Sequence, residues 1–202
     1  MADGGRVIAG SARGIRLAAA GAVTRPLGDR VKQTLFAILE PDLAGRRVLD
    51  LFAGIGAAGI EALSRGAPGA VFVDADPHAI VAIRENLSRC HLDGAGARVV
   101  RADVARWLAT DASAEASAGG AFGLVVIDPP YERHDLLTDT LDWIGGASAD
   151  GIVSADAIVI AKSFWRDAPP DVVGLLASER TRRFGETALT FYRRQSKAST
   201  EA

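Results

Sequence analysis

The chain has 202 residues, of which 49% are hydrophobic and 24% charged, with a net charge of −2; this suits one globular domain with a small appendage. A single cysteine, Cys90, excludes an internal disulfide framework and a cysteine-based zinc site, and His78, His91 and His134 show no metal-ligand spacing, so no metal is expected. No apolar run approaches the ~20 residues of a membrane helix and "MADGGRV" lacks a signal-peptide core, so a cytoplasmic, soluble protein is expected.

Charge is unevenly placed. Residues 1 to 32 carry Arg6, Arg13, Arg16, Arg25, Arg30 and Lys32 against Asp3 and Asp29, a segment of +4, which leaves −6 for the remainder. Such a segment is either a solvated surface or a contact for a polyanion. Within it, "RVIAG" and "GIRLA" around "SARG" suggest a small β-hairpin, and a helix is expected over roughly Arg30 to Leu39.

From Arg47 onward, apolar runs alternate with helical patterns. "RVLDLF", "AVFVD", "ARVVRAD", "FGLVVID" and "AIVIA" read as short buried strands. In "DPHAIVAIRENLSRC", Asp76 is an expected N-cap, Pro77 the first helical residue, and Ile80, Ile83 and Leu87 share one face. The alternation specifies an α/β fold with a mostly parallel sheet. "TDASAEASAGGA", Thr110 to Ala121, reads as a flexible surface loop, and "SERTRRFG" with "ALTFYRR" as an antiparallel pair closing the sheet. A second basic cluster lies in "ERTRRFGE" and "YRRQSK".

"LDLFAGIGAAGIEALSRGA" leaves the first core strand and enters a helix, with G-x-G-x-x-G at Gly54, Gly56 and Gly59. As written it is a dinucleotide fingerprint. Asp50 argues otherwise, because a carboxylate beside a helix N-terminus repels the pyrophosphate that such a loop would attract. S-adenosylmethionine carries an ammonium and a sulfonium and no phosphate, so an acid there favours it. Asp74, ending the second strand, suits ribose hydroxyls, and Asp103, after the third, an adenine amino group. A dehydrogenase is correspondingly disfavoured.

"DPPY", Asp128 to Tyr131, ends the fourth core strand. In a doubly wound sheet it is expected to face the glycine loop across the ligand crevice. An exocyclic amine on a base is a poor nucleophile because its lone pair is delocalised into the ring. Asp128 and the Pro129 carbonyl can accept its two N–H bonds and orient the nitrogen, while Tyr131 offers a stacking face.

The motifs "DLFAGIG", "VFVDAD" and "DPPY" resemble those of class I S-adenosylmethionine-dependent amino-methyltransferases. With "RVIAGSARGIRL", "TRPLGDRVKQTLFAIL" and "RRFGETALTFYRR" the chain resembles the bacterial RsmD family over about residues 6 to 194. The resemblance implies a Rossmann-like class I methyltransferase. Its mostly parallel seven-stranded sheet would end in a C-terminal antiparallel hairpin and carry a small N-terminal hairpin and helix extension. It divides the chain into residues 1–45, an RNA-binding extension, 46–195, the methyltransferase domain, and 196–202, a disordered tail. It implies that Asp50, Gly54, Gly56, Asp74 and Asp103 hold S-adenosyl-L-methionine and that Asp128, Pro129 and Tyr131 hold the target guanine. Thr24, Arg25 and Arg30 would contact RNA. The implied activity is methylation of guanine N2 in 16S ribosomal RNA, within the small subunit or free, by a monomer. Two positions depart from the pattern: Ile55 stands between the glycines where a small serine is expected, and "AIVIAKSF" lacks an acid near Ala161. A DNA adenine-N6 methyltransferase and a non-catalytic RNA-binding assembly factor are the alternative readings.

Overall fold

A computed structural model describes residues 3–19, 28–94 and 96–195. Thr24, Arg25 and the tail 196–202 lie outside the described residues. The internal contacts divide the chain into two units, Met1–Val104 and Ala105–Ala202.

The first unit opens with a two-stranded antiparallel hairpin, β1 (Asp3–Arg6) and β2 (Arg16–Ala18). Its first strand lies earlier in the chain than "RVIAG". Residues 8–12 are instead drawn onto a helix further along, α2 (Ala57–Ser64), all eight residues of which are buried. Glu61 of α2, 0% exposed, accepts the N–H groups of Ile8 (2.7 Å) and Ala9 (3.0 Å), and Ser64 Oγ donates to Ala9 O at 2.6 Å. A run whose N–H groups bond a buried carboxylate is not available to a strand ladder. The helix expected after the hairpin is α1 (Asp29–Leu43), which starts and ends beyond the expected bounds.

Strands β3 (Arg47–Leu51), β4 (Ala70–Asp74) and β5 (Ala97–Arg101) run parallel in the order β5-β4-β3. The register pairs Leu51 with Val73 and Asp74 with Arg101, so the three strands end at one edge, and the loops that carry the glycines, Asp74 and Asp103 leave together. Helix α3 (Pro77–Arg89) begins as expected: Asp76 Oδ1 accepts the His78 N–H at 2.8 Å and Pro77 is the first helical residue.

The second unit holds α4 (Val104–Thr110, starting at the boundary), α5 (Ala112–Gly119), β6 (Phe122–Ile127), α6 (His134–Gly145) and β7 (Val153–Phe164). It closes with β8 (Val172–Val173), β9 (Leu176–Phe184) and β10 (Thr187–Arg194). Its strands lie in the order β6-β7-β10-β9-β8, with β6 and β7 parallel and β10 antiparallel to β7 and β9. The C-terminal antiparallel pair is present, and the two-residue β8 adds an edge strand to the seven expected.

The segment expected as a flexible loop contains α5. Alanine has the highest helix propensity, and Ala112 (0% exposed) and Ala116 (6% exposed) bury their methyl groups, so packing completes what composition alone left open. No helix among the described residues is long and apolar enough to cross a membrane.

Candidate active site

In the first unit the chain turns sharply after β3. Phe52 adopts φ 58°, unusual for a side chain with a Cβ, and Gly54 and Gly56 adopt φ 56° and 77°. No atom lies within 4 Å of where a Cβ on Gly54 would stand, so its backbone is open to a ligand. The Gly54 N–H donates to Asp74 Oδ2 at 2.8 Å, and the Asp76 N–H donates to Asp74 Oδ1 at 2.9 Å. Burial pushes the Asp74 carboxyl above the usual carboxylate range, against the pull of these backbone donors.

Asp50 is 2% exposed, and its Oδ2 accepts the Gly59 N–H at 2.9 Å. The carboxylate therefore sits beneath the first turn of α2 and occupies an N–H that a phosphate would use. That arrangement disfavours an anion at the helix end, through the carboxylate charge and the loss of one N–H donor. Ile55 is 2% exposed, with its side chain turned inward rather than into the loop opening. Asp103 is exposed in the loop after β5.

The third glycine of the motif serves packing. A Cβ on Gly59 would lie 2.3 Å from Phe72 Cε1 and 2.7 Å from Cζ, and Phe72 is 0% exposed. Gly59→Ala is expected to destabilise the protein by roughly 1–3 kcal/mol through overpacking. Thermal unfolding should show a Tm about 2–12 °C lower, at the ~2–4 °C per kcal/mol of a chain this size. An unchanged Tm would remove the packing role.

Asn86 was not singled out in the sequence. Its side chain donates to the carbonyls of Ile55 and Ala18, each at 3.0 Å, and accepts the Ala18 N–H at 2.6 Å, tying the glycine loop to the hairpin. The available signal was position: Asn86 follows Ile83 by three residues, on the face that helix α3 buries.

The second unit builds its site at the joint ends of β6 and β7. The parallel register pairs Ile127 with Ala161, so the next residues, Asp128 and Lys162, come side by side. Lys162 Nζ donates to Asp128 Oδ1 at 2.5 Å, with the two side chains 11% and 19% exposed. The same ammonium lies 4.8 Å from the centroid of the Tyr131 ring. The β10 register places Thr187 opposite Phe164, and the Thr187 Oγ1 meets Tyr131 OH at 2.7 Å. Tyr131 is thus held at its hydroxyl and on one face, while remaining 37% exposed. The ammonium covers one face of the ring.

Burial pushes the Asp128 carboxyl above the usual carboxylate range, and the Lys162 charge partly offsets it. Burial opposes the Lys162 ammonium as well, but the Asp128 carboxylate beside it holds its pKa above the ordinary lysine value. The two proline carbonyls are not equivalent. Pro130 O accepts the Arg133 N–H at 2.9 Å in a turn, whereas Pro129 O accepts no hydrogen bond among the described residues. Lys162 is the residue that motif reading missed. Its signal was a lysine ending an apolar run, one position after the missing acid near Ala161.

Residues 5–193 match the sequence profile of the family described as Conserved hypothetical protein 95. Ribosomal RNA small subunit methyltransferase D of Escherichia coli (strain K12) is 31% identical over 198 residues, 98% of this chain and 93% of that protein. YlbH of Bacillus subtilis (strain 168) is 37% identical over 193 residues, 94% of this chain and 99% of its own. The solved structure of Escherichia coli yhhF superposes with a TM-score of 0.80 at 31% identity, covering 95% of this chain and 98% of that one.

Proposed function

The chain belongs to the Conserved hypothetical protein 95 family, and from that premise we propose that it methylates guanine N2 in 16S ribosomal RNA. It is an S-adenosylmethionine-dependent methyltransferase of ribosomal RNA, with the class I α/β fold. When bound, S-adenosylmethionine supplies an electrophilic methyl group on a sulfonium. The residues of the first unit fit it. Asp50 keeps phosphate from the end of α2, Gly54 leaves its backbone open, and Asp74 presents a carboxylate at a strand end. In this reading Gly54, Gly56, Asp74 and Asp103 contact the cofactor, and Asp50 acts from beneath the loop.

Asp128 and Pro129 O receive the two N–H groups of the guanine amine, and Tyr131 stacks on the ring. Holding both hydrogens turns the nitrogen lone pair out of conjugation and toward the electrophile, so catalysis is orientation plus electrostatics. Positive charge develops on the nitrogen as its bond to the methyl carbon forms and the methyl–sulfur bond breaks; the Asp128 carboxylate, whose ionised form the Lys162 charge favours, faces that charge, and one N–H proton then leaves to restore a neutral amine. The observation that carries the reading is the Pro129 carbonyl, which accepts no hydrogen bond among the described residues, next in the chain to a carboxylate with one oxygen on lysine.

Residues 1–45 form the RNA-contacting extension and 46–195 the methyltransferase domain, in a monomer acting in the cytoplasm. Arg30, exposed in the first turn of α1, and Thr24 and Arg25 would meet RNA phosphates. Folded RNA offers loop bases already partly unstacked, so a compact enzyme needs little apparatus for sequence readout. The test is incubation with labelled S-adenosylmethionine and small ribosomal subunits, naked 16S RNA or duplex DNA, followed by digestion to nucleosides. Label in N2-methylguanosine is expected. Label in N6-methyladenine from DNA would establish the DNA enzyme instead, and binding of RNA without label an assembly factor.

A further inference from the structure

We propose that Trp165, Arg166 and Arg183 form a phosphate-binding platform for the RNA backbone beside the nucleotide being methylated; this rests on the reading of the chain as an rRNA methyltransferase. The Arg183 guanidinium carbon lies 3.5 Å from the centroid of the Trp165 indole, and that of Arg166 lies 4.8 Å from it. Both arginines are exposed, and Trp165 is half-buried. The backbone that carries the indole is fixed in turn: the main-chain N–H of Trp165 donates to Glu186 O at 2.9 Å, which extends the β7–β10 pairing past Phe164, and Arg183 Nε donates to Gly185 O at 2.9 Å.

The charge pattern distinguishes this cluster from the other arginines nearby. Arg193 is paired with Glu179 and Arg194 with Asp150. Among the described residues neither Arg166 nor Arg183 has a carboxylate within ion-pair distance, although Asp167 and Glu186 are their neighbours along the chain. Stacking on an indole holds a guanidinium plane in place while its in-plane N–H donors stay outward, the geometry that receives two phosphate oxygens.

Position connects the platform to the reaction. Phe164 lines a shallow pocket with Pro129, Tyr131 and Lys162, and its ring lies 6.3 Å from that of Trp165. An RNA strand whose base enters beside Tyr131 therefore carries its neighbouring phosphates past the two arginines. This gives a role to Arg183 of the C-terminal basic cluster, which the amine-holding site does not use.

The experiment measures filter binding of a 16S RNA transcript over a range of salt concentrations, with initial rates on the same RNA, for wild type, Arg166→Ala/Arg183→Ala and Trp165→Leu. Wild type and the double variant should melt alike, because both arginines are exposed. The double variant is expected to lose about 1–2 units of salt slope, as removal of one or two phosphate contacts does. Its KM for RNA should rise roughly tenfold with kcat and S-adenosylmethionine affinity unchanged, the signature of lost uniform binding. Trp165→Leu keeps both charges, so its slope should remain while its affinity falls several-fold. An unchanged slope in the double variant, or wild-type affinity in Trp165→Leu, overturns the platform while the functional reading stands. A wild-type protein that neither binds nor methylates 16S RNA overturns both.

Discussion

Asp128→Ala is expected to lower kcat by roughly 10²–10³-fold, the loss seen when one preorganised polar group is taken from a transition state. S-adenosylmethionine affinity, measured by calorimetry, should stay within a few-fold of wild type, since none of the residues assigned to the cofactor bonds to Asp128. The physical reason lies in what the carboxylate does for the amine. In the proposed pose it accepts one N–H, so the lone pair is aimed, and it faces the positive charge that develops on nitrogen. Neither contribution exists in the alanine variant, and Pro129 O alone leaves the amine free to rotate. The variant also strands Lys162, whose ammonium is 11% exposed at the side-chain level and would then retain only Tyr131. Asp128→Asn separates the two effects, because it keeps the shape and one acceptor oxygen but removes the charge. If either variant turns over at near the wild-type rate, the role given to Asp128 is wrong.

Lys162→Met should impair the enzyme in a pH-dependent way. Burial already raises the Asp128 pKa, and the Lys162 charge opposes that rise. Removing the ammonium moves the Asp128 pKa further up, so at a given pH a smaller fraction of the enzyme holds the carboxylate form. The acid limb of the kcat profile should shift to higher pH, with activity partly recovered in alkaline buffer. Lys162→Arg should retain the wild-type limb.

Stability should follow the same titration. An acid whose folded-state pKa lies above its unfolded value binds more protons when folded, so raising the pH through that window destabilises the fold. In Lys162→Met, with the carboxylate left without its counter-charge, the loss should be about 1–3 kcal/mol at pH values above the folded Asp128 pKa and should shrink on acidification. Tm measured at mildly acid and alkaline pH checks the sign. A profile and a Tm difference that do not depend on pH would mean that Lys162 only fills space.

Much of the local structure of the candidate site was legible because its residues are bound to local backbone requirements. Strand ends, the N-cap at Asp76 and the glycines with positive φ are conditions met within a few residues, and such conditions leave a mark in composition. The alternation of β-branched runs with amphipathic segments likewise announced the strands and α3, with bounds that nearly coincide except at β7, which runs Val153–Phe164 where only "AIVIA" was expected. The failures share a cause as well. The hairpin strand was displaced from "RVIAG" because Glu61, about fifty residues away, claims the N–H groups of Ile8 and Ala9. The segment after Thr110 was mistaken for a loop because small residues are helix formers whose burial cannot be seen locally.

The sequence by itself determined the α/β class, the order of the elements and the residue types offered to cofactor and amine, since each follows from short-range periodicity and turn chemistry. Only the tertiary structure decided how those residues are employed. Strand register set Lys162 beside Asp128 and brought Thr187 within reach of Tyr131. Burial turned Asp50 from an open carboxylate into a support beneath the α2 turn, and the close approach of Phe72 made Gly59 a packing residue. Register and burial depend on partners tens of residues apart, and no local pattern encodes a distance between strands.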